Sequence, residues 1–375
     1  MDTGQLTKIL DAAIDEHAFS GVIDIRHKAT VLYARAAGYA DRSNKRVNTL
    51  ATRFGIASGT KFLTALAIGK LLEAKQLSFS TKLKDCLALD FPHYSPEITI
   101  QHLLTHTSGI PDYYDEDKIA DFDNFSLSVP WYELRGPRDY LAVFPDEPMK
   151  FSPGERFTYS NGGYILLGVV VEELTGMKYQ DFVKQAIFQA VGMHQSGYFA
   201  LNQLPETTAL GYVEEAGDWR TNIYDLPIVG ASDGGAFTTV QDLTTLWTAF
   251  LVYEILPKEL VEIYTMPFVK AETERAHTYY SHGLWIFEGA GRQREIYFTG
   301  CDAGVSFKSS VNLDTQMQVT VISNTTHGAW PVLGDIDTAL QGLSGRAANN
   351  SLERTQPQRS FMDDKAVLRR SARGR

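Results

Sequence analysis

Cysteine is scarce in this chain: two among 375 residues, Cys86 and Cys301. A disulfide scaffold is therefore excluded, although a single bridge is not. Long apolar runs are missing as well, and no stretch approaches the roughly 20 residues a membrane-spanning helix requires. Positive charge is the minority, with 35 Lys and Arg against 45 Asp and Glu and a formal net charge of −10. An acidic body argues against nucleic acid as a partner, because phosphate binding needs clustered positive surface. Three motifs are also lacking. No His-Glu-x-x-His or Cys/His cluster points to a metal, no Gly-x-x-x-x-Gly-Lys loop to a nucleotide, and no Gly-x-Ser-x-Gly elbow to an ordinary α/β-hydrolase. No cofactor is called for.

What is present is an ordinary globular composition, 44% hydrophobic and 21% charged, long enough for two domains or one domain with an insertion. The charge is uneven. Residues 346–375 hold eight Lys or Arg and three Asp or Glu, which reads as a flexible, solvated basic tail or a vector-derived extension. The first 19 residues are amphipathic and acidic and lack the basic start and apolar core of a secretory leader. The expected compartment is the cytoplasm for the chain as written, and the periplasm or exterior if a leader has been removed.

Hydrophobic periodicity predicts an opening helix over residues 5–17, then a β-hairpin from GVIDIRH and TVLYARAAGYA. A helix from Gly59 to about Ala74 is apolar nearly all round, as a buried helix is. Residues 76–200 read as mostly helix and loop, with a helix closed by Gly176, and a Thr-started helix spans about 239–251. HGLWIFEG, REIYFTG, AGVSFKSSV and MQVTVISNT are β-rich, and a last helix is expected over about 330–343. Strands, helices, strands, helix is the order of an α+β fold. An antiparallel sheet flanked by helices is expected from residues 1–75 and 253–345, with an all-helical inserted lobe over 76–252 and a cleft between them.

Three short elements carry candidate chemistry. Ser58 and Lys61, three apart on a helix, share a face, so a buried Lys61 amine would sit against the Ser58 hydroxyl with its pKa lowered by desolvation. The helix start also offers N–H groups to an oxyanion. Tyr159-Ser160-Asn161 offers a phenol for proton transfer and an amide for a substrate carbonyl. In Phe298-Thr299-Gly300 a strand glycine permits close approach, and the Cys301 N–H becomes a second oxyanion donor. Each has a plainer reading alone: an N-cap serine followed by a snorkelling lysine, a packed tyrosine with a capping asparagine, a bulge glycine.

Together and in this order, the three elements resemble the serine β-lactamase and penicillin-binding-protein superfamily, on the side of class C β-lactamases, DD-peptidases and family VIII esterases. The resemblance covers most of residues 15–345. Phe54-Gly55-Ile56-Ala57-Ser58-Gly59-Thr60-Lys61 is similar to that family's nucleophile segment. His102 through Ile110, Phe151-Ser152-Pro153-Gly154-Glu155 and Gly234-Gly235-Ala236-Phe237-Thr238-Thr239 with Asp242 resemble further recurring stretches. The resemblance implies acylation of Ser58, proton handling by Lys61 and Tyr159, and substrate contact by Asn161, Phe298, Thr299 and Gly300. His106 reads as a loop and packing residue. One departure stands out: Phe298 occupies a position where many relatives carry Lys or His, a cation that would bind a substrate carboxylate. The expectation is a serine hydrolase of esters or amides, with β-lactams and D-alanyl peptides within its chemistry and neutral esters preferred, unless Lys308 or His282 restores the cation. The alternatives are a slowly acylating or non-catalytic sensor of penicillin or peptidoglycan fragments, and an acyltransferase.

Overall fold

The β-branched and aromatic runs near the two ends of the chain meet in one sheet. A computed structural model of the protein describes residues 3–343 except 90, 92, 117, 120–124, 272, 274 and 290–293; the basic tail expected over 346–375 lies outside the described residues. Eight strands pair antiparallel throughout, in the order Thr30–Ala37, Gly21–His27, Met317–Ser323, Val305–Asn312, Arg294–Asp302, Trp285–Glu288, Thr278–Tyr280, Val269–Lys270. The first and last stretches of the chain are thereby hydrogen-bonded side by side, as Gly21–His27 lies against Met317–Ser323.

Both faces of this sheet are covered, which is why its central strands read as nearly continuous apolar runs. On one face, Leu6, Leu10 and Ile14 of the helix Thr3–Glu16 pack with Val332, Ile336 and Ala339 of the helix Ala329–Leu343 over Ile23, Ile25 and Val321. On the other face lies the helix Thr60–Glu73, buried along most of its length as its apolar circumference predicts. Its Phe62 ring sits 5.0 Å from Phe298 and 5.7 Å from Trp247 of the helix Val240–Leu251. Each such buried aromatic removes its side chain from water, worth about 1.5–3 kcal/mol.

Between Glu73 and Asn161 the structure holds less helix than the sequence reading expected. The described α-helices there are Leu83–Cys86 and Ile100–Leu104. Eight of the chain's 14 prolines fall between residues 92 and 153, and each removes a backbone donor and restrains its predecessor away from helix. A small hairpin, Tyr212–Glu215 with Asp218–Thr221, also departs from the expected helix-and-loop lobe; Ala216 and Gly217 take positive φ at its turn. The helix Asn161–Thr175 ends at left-handed Gly176 as expected.

Candidate active site

The site begins with a clamped turn. Phe54-Gly55 pairs with Phe237-Thr238, and Ile56 N–H donates to the Ala236 carbonyl at 2.9 Å. The chain then enters a single 3₁₀ turn, Ala57–Gly59, with Ala57 at φ 45°. Thr60 locks it: its hydroxyl donates to the Ala57 carbonyl at 2.7 Å and accepts from Ala236 N–H at 3.0 Å. Gly59 has no room for a side chain, since a Cβ there would lie 2.5 Å from the Phe307 ring. Ser58 is thus presented, partly exposed, at the entry to the buried helix.

Lys61 follows one turn later and is 2% exposed. Its Nζ donates to Ser58 Oγ at 3.0 Å, Asn161 Oδ1 at 2.7 Å and the Asp233 carbonyl oxygen at 2.7 Å. Burial lowers its pKa, and the nearby carboxylates of Asp233, Glu116, Asp112 and Asp302 oppose that shift.

Tyr159 is held by the loop around His106. Thr158 N–H donates to the His106 carbonyl at 2.9 Å and Ser160 N–H donates to His106 Nδ1 at 3.1 Å, one on each side of Tyr159. The His106 ring packs 4.4 Å from the Tyr159 ring, centroid to centroid. Burial and the Lys61 charge hold its pKa well below the usual imidazole range, so it is neutral. This is the packing role the sequence reading gave it. The Tyr159 phenol stands near enough to Ser58 for that hydroxyl to pull its pKa down slightly, and Lys61 Nζ lies 4.9 Å from its ring centre. Burial, then the Glu116 carboxylate, push the phenol well above its ordinary pKa. Asn161 is fixed from below by Asp112, whose carboxylate accepts from the N–H groups of Asn161 and Gly162 at 2.5 and 3.0 Å. Its side-chain Nδ2 donates to the Tyr114 carbonyl at 3.1 Å.

The strand Arg294–Asp302 requires three corrections. Phe298 is not a substrate contact: it is 2% exposed and packs on Phe62, Trp247 and Phe307. Thr299 points to the other side of the strand, as alternation demands, and its hydroxyl donates to the Phe307 carbonyl at 2.7 Å. Gly300 faces the nucleophile turn itself and not a substrate; a Cβ there would sit 2.3 Å from the Ile56 carbonyl oxygen and 2.7 Å from Ser58 N. The strand thereby carries the Cys301 backbone to the rim of the cavity, while its thiol donates to the Thr326 carbonyl. No disulfide joins Cys86 and Cys301. Neither substitute cation reaches the site. Lys308 pairs with Glu295 at 2.9 Å over the Tyr297 ring. His282 is buried among Phe79, Tyr264 and Phe268, its pKa lowered to about 4 by desolvation, and therefore uncharged.

Ser58 and Asn161 open onto a cavity of about 290 Å³. Aromatic and aliphatic groups make much of its wall, and four acids, Glu116, Asp225, Asp233 and Asp302, also line it. No Lys, Arg or His does so among the described residues. The sequence reading passed over Asp112, Asp233 and Asp302. Asp233 alone carried a signal, standing directly before the quoted Gly234-Gly235 segment.

A Beta-lactamase family model matches residues 6–343, and the chain belongs to that family. Its members are typically serine hydrolases. Penicillin-binding protein 4* of Bacillus subtilis (strain 168) is 33% identical over 227 residues, 59% of this chain and 47% of that protein. Esterase EstB of Burkholderia gladioli is 32% identical over 216 residues, 56% of this chain and 54% of that protein. The chain therefore spans about half the length of these curated relatives. Among solved structures, a penicillin-binding protein from Bacillus halodurans superposes with a TM-score of 0.82 at 41% identity, covering 89% of this chain and 99% of that one.

Proposed function

We propose that the protein hydrolyses ester or amide bonds through an acyl-enzyme on Ser58. The observation that carries this reading is the Lys61 amine 3.0 Å from Ser58 Oγ and 4.9 Å from the centre of the Tyr159 ring, with Ser58 at the mouth of a cavity. Neutral Lys61 takes the Ser58 proton as Oγ bonds to the substrate carbonyl carbon. The N–H groups of Ser58 and Cys301 hold the oxyanion. Tyr159 gives its proton to the leaving oxygen or nitrogen as that bond breaks, and is reprotonated from the Lys61 ammonium. Water then repeats the sequence, giving its proton to the same pair and returning Ser58. Asn161, anchored by Asp112, orients Lys61 and borders the substrate. The absence of a cation on the described cavity wall favours neutral over anionic substrates, hence esters over β-lactams and D-alanyl peptides.

The test is a fluorophosphonate labelling and turnover series on wild type and Ser58→Ala. Wild type should form a mass-detectable adduct and turn over p-nitrophenyl butyrate faster than nitrocefin, and Ser58→Ala should do neither. Full labelling of Ser58→Ala would remove the nucleophile from the mechanism. A burst without steady turnover would instead support the sensor reading, and product diverted by an added alcohol or amine the acyltransferase reading.

A further inference from the structure

Packing alone does not explain a histidine at 106. The residue follows the helix Ile100–Leu104 and its C-cap Thr105, and takes φ 57°. Left-handed backbone just past a helix end is the habitual place of glycine or asparagine, and a larger side chain there carries local strain. The His106 ring is 1% exposed, with the rings of Tyr159, Tyr280, Tyr164 and Phe157 centred between 4.4 and 5.8 Å from it. Its Nδ1 accepts from Ser160 N–H, so the neutral ring carries its proton on Nε2, and that N–H has no hydrogen-bond partner among the described residues. A buried donor left unpaired is costly, and phenylalanine would fill the same cage of rings without that cost.

What phenylalanine would lack is the Nδ1 lone pair. Ser160 is extended, at φ −140° and ψ 116°, and 4% exposed, so its N–H needs an acceptor inside the protein. On an extended chain, N–H groups two residues apart point to the same edge. Here both turn to one residue: Thr158 N–H donates to the His106 carbonyl and Ser160 N–H to the His106 ring. The ring nitrogen takes the place that the next carbonyl of a paired strand would hold. We propose that His106 is a positioning residue for Tyr159, fixing the main chain on both sides of the phenol through its carbonyl and its Nδ1 lone pair, so that the hydroxyl stays beside Ser58 and Lys61. This rests on the hydrolase reading above and adds a residue to the same site. The next residue along, Asn161, has its own anchor, because Asp112 accepts from its N–H and from that of Gly162. Loss of the ring nitrogen therefore falls on Tyr159.

The experiment sets His106→Asn against His106→Phe. Asparagine tolerates left-handed backbone and carries a side-chain oxygen where histidine has Nδ1, but it has no ring. Phenylalanine keeps the ring and has no acceptor. Acylation by p-nitrophenyl butyrate is scored per Ser58 that labels with fluorophosphonate at completion, which removes any unfolded fraction from the comparison. His106→Asn should stay within about threefold of wild type, and His106→Phe should fall on the order of 10²-fold, the effect of misplacing a reacting group by about 1 Å. A histidine that only fills space predicts the opposite order. In a Tyr159→Phe background His106→Phe should lose less than about twofold further, because the phenol it positions no longer has a hydroxyl. Amide exchange of residues 158–161 reads the clamp without turnover: slow in wild type and His106→Asn, accelerated in His106→Phe. His106→Phe acylating as fast as wild type, His106→Asn losing as much as His106→Phe, or a loss undiminished by Tyr159→Phe would overturn the proposal and leave the hydrolase reading intact. A wild type that neither labels nor turns over the ester would overturn the hydrolase reading, and the exchange result would still decide whether His106 holds this segment.

Discussion

A buried lysine amine surrounded by three oxygens can be satisfied in two ways. As an ammonium, Lys61 donates to all three. As a neutral amine it keeps two donors, and Asn161 Oδ1 and the Asp233 carbonyl can only accept. The lone pair is then left for the one neighbour that can donate, the Ser58 hydroxyl. In the proposed mechanism Lys61 is therefore the first base, and the raised pKa of Tyr159 keeps that phenol protonated to serve the leaving group. Burial and the Glu116 carboxylate thus put Tyr159 second in the proposed proton path. Tyr159→Phe should therefore depress acylation of p-nitrophenyl butyrate by about 10²–10⁴-fold. The rise of kcat/KM with pH, set by deprotonation of Lys61, should persist in the variant, with its midpoint below the ordinary lysine range because burial lowers that pKa. Stopped-flow acylation across pH reads both, and loss of the pH limb together with the phenol would assign the base to Tyr159. Ser58 and Lys61 were legible because helical spacing dictates which side chains share a face. The Asp112 contacts were not, because they join residues 49 and 50 apart in the chain.

At the scale of elements, the site depends on one strand lying almost in van der Waals contact with one turn. Gly300 makes that possible, since any Cβ would strike the Ile56 carbonyl. Gly300→Ala must therefore push the strand Arg294–Asp302 away from the turn Ala57–Gly59, or move Ser58. Either shift separates the two proposed oxyanion donors. Removing one such donor typically costs about 10²–10³-fold in kcat, and Gly300→Ala should lose at least that much in acylation while Lys61 and Tyr159 remain intact. Normal acylation rates would show that the strand contact is dispensable. The glycine's need for close approach was readable from its strand setting. What approaches was not: a single sequence cannot say whether a backbone or a substrate fills the space. The same ambiguity misplaced Phe298. Alternation puts residues 298, 300 and 302 on one face, but only the packing of Phe62 and Trp247 shows that 298 is core while 302 reaches the cavity.

At the scale of the whole molecule, the sheet's membership was legible from β-rich runs at both ends of the chain, and the buried helix from its apolar circumference. Strand order was not, because it is fixed by contacts across hundreds of residues, such as Gly21 opposite Ser323. Nor was the sign of the cavity's charge, which gathers acids from separate segments. That charge has a cost for stability. Burial, then the Asp233 carboxylate, push the Asp302 carboxyl up to about 7 in the folded protein, against an ordinary carboxyl value near 4. A carboxyl whose folded pKa is raised binds its proton more tightly in the native state. The native state is then progressively disfavoured as pH climbs from about 4 to 7, and the penalty is constant above that. Asn cannot ionise and escapes the penalty. Asp302→Asn should therefore be more stable than wild type at pH 8, by on the order of 2 kcal/mol more than any difference at pH 5. Urea unfolding at the two pH values measures this directly. A stability difference that does not grow with pH would mean that Asp302 ionises in the folded protein without hindrance.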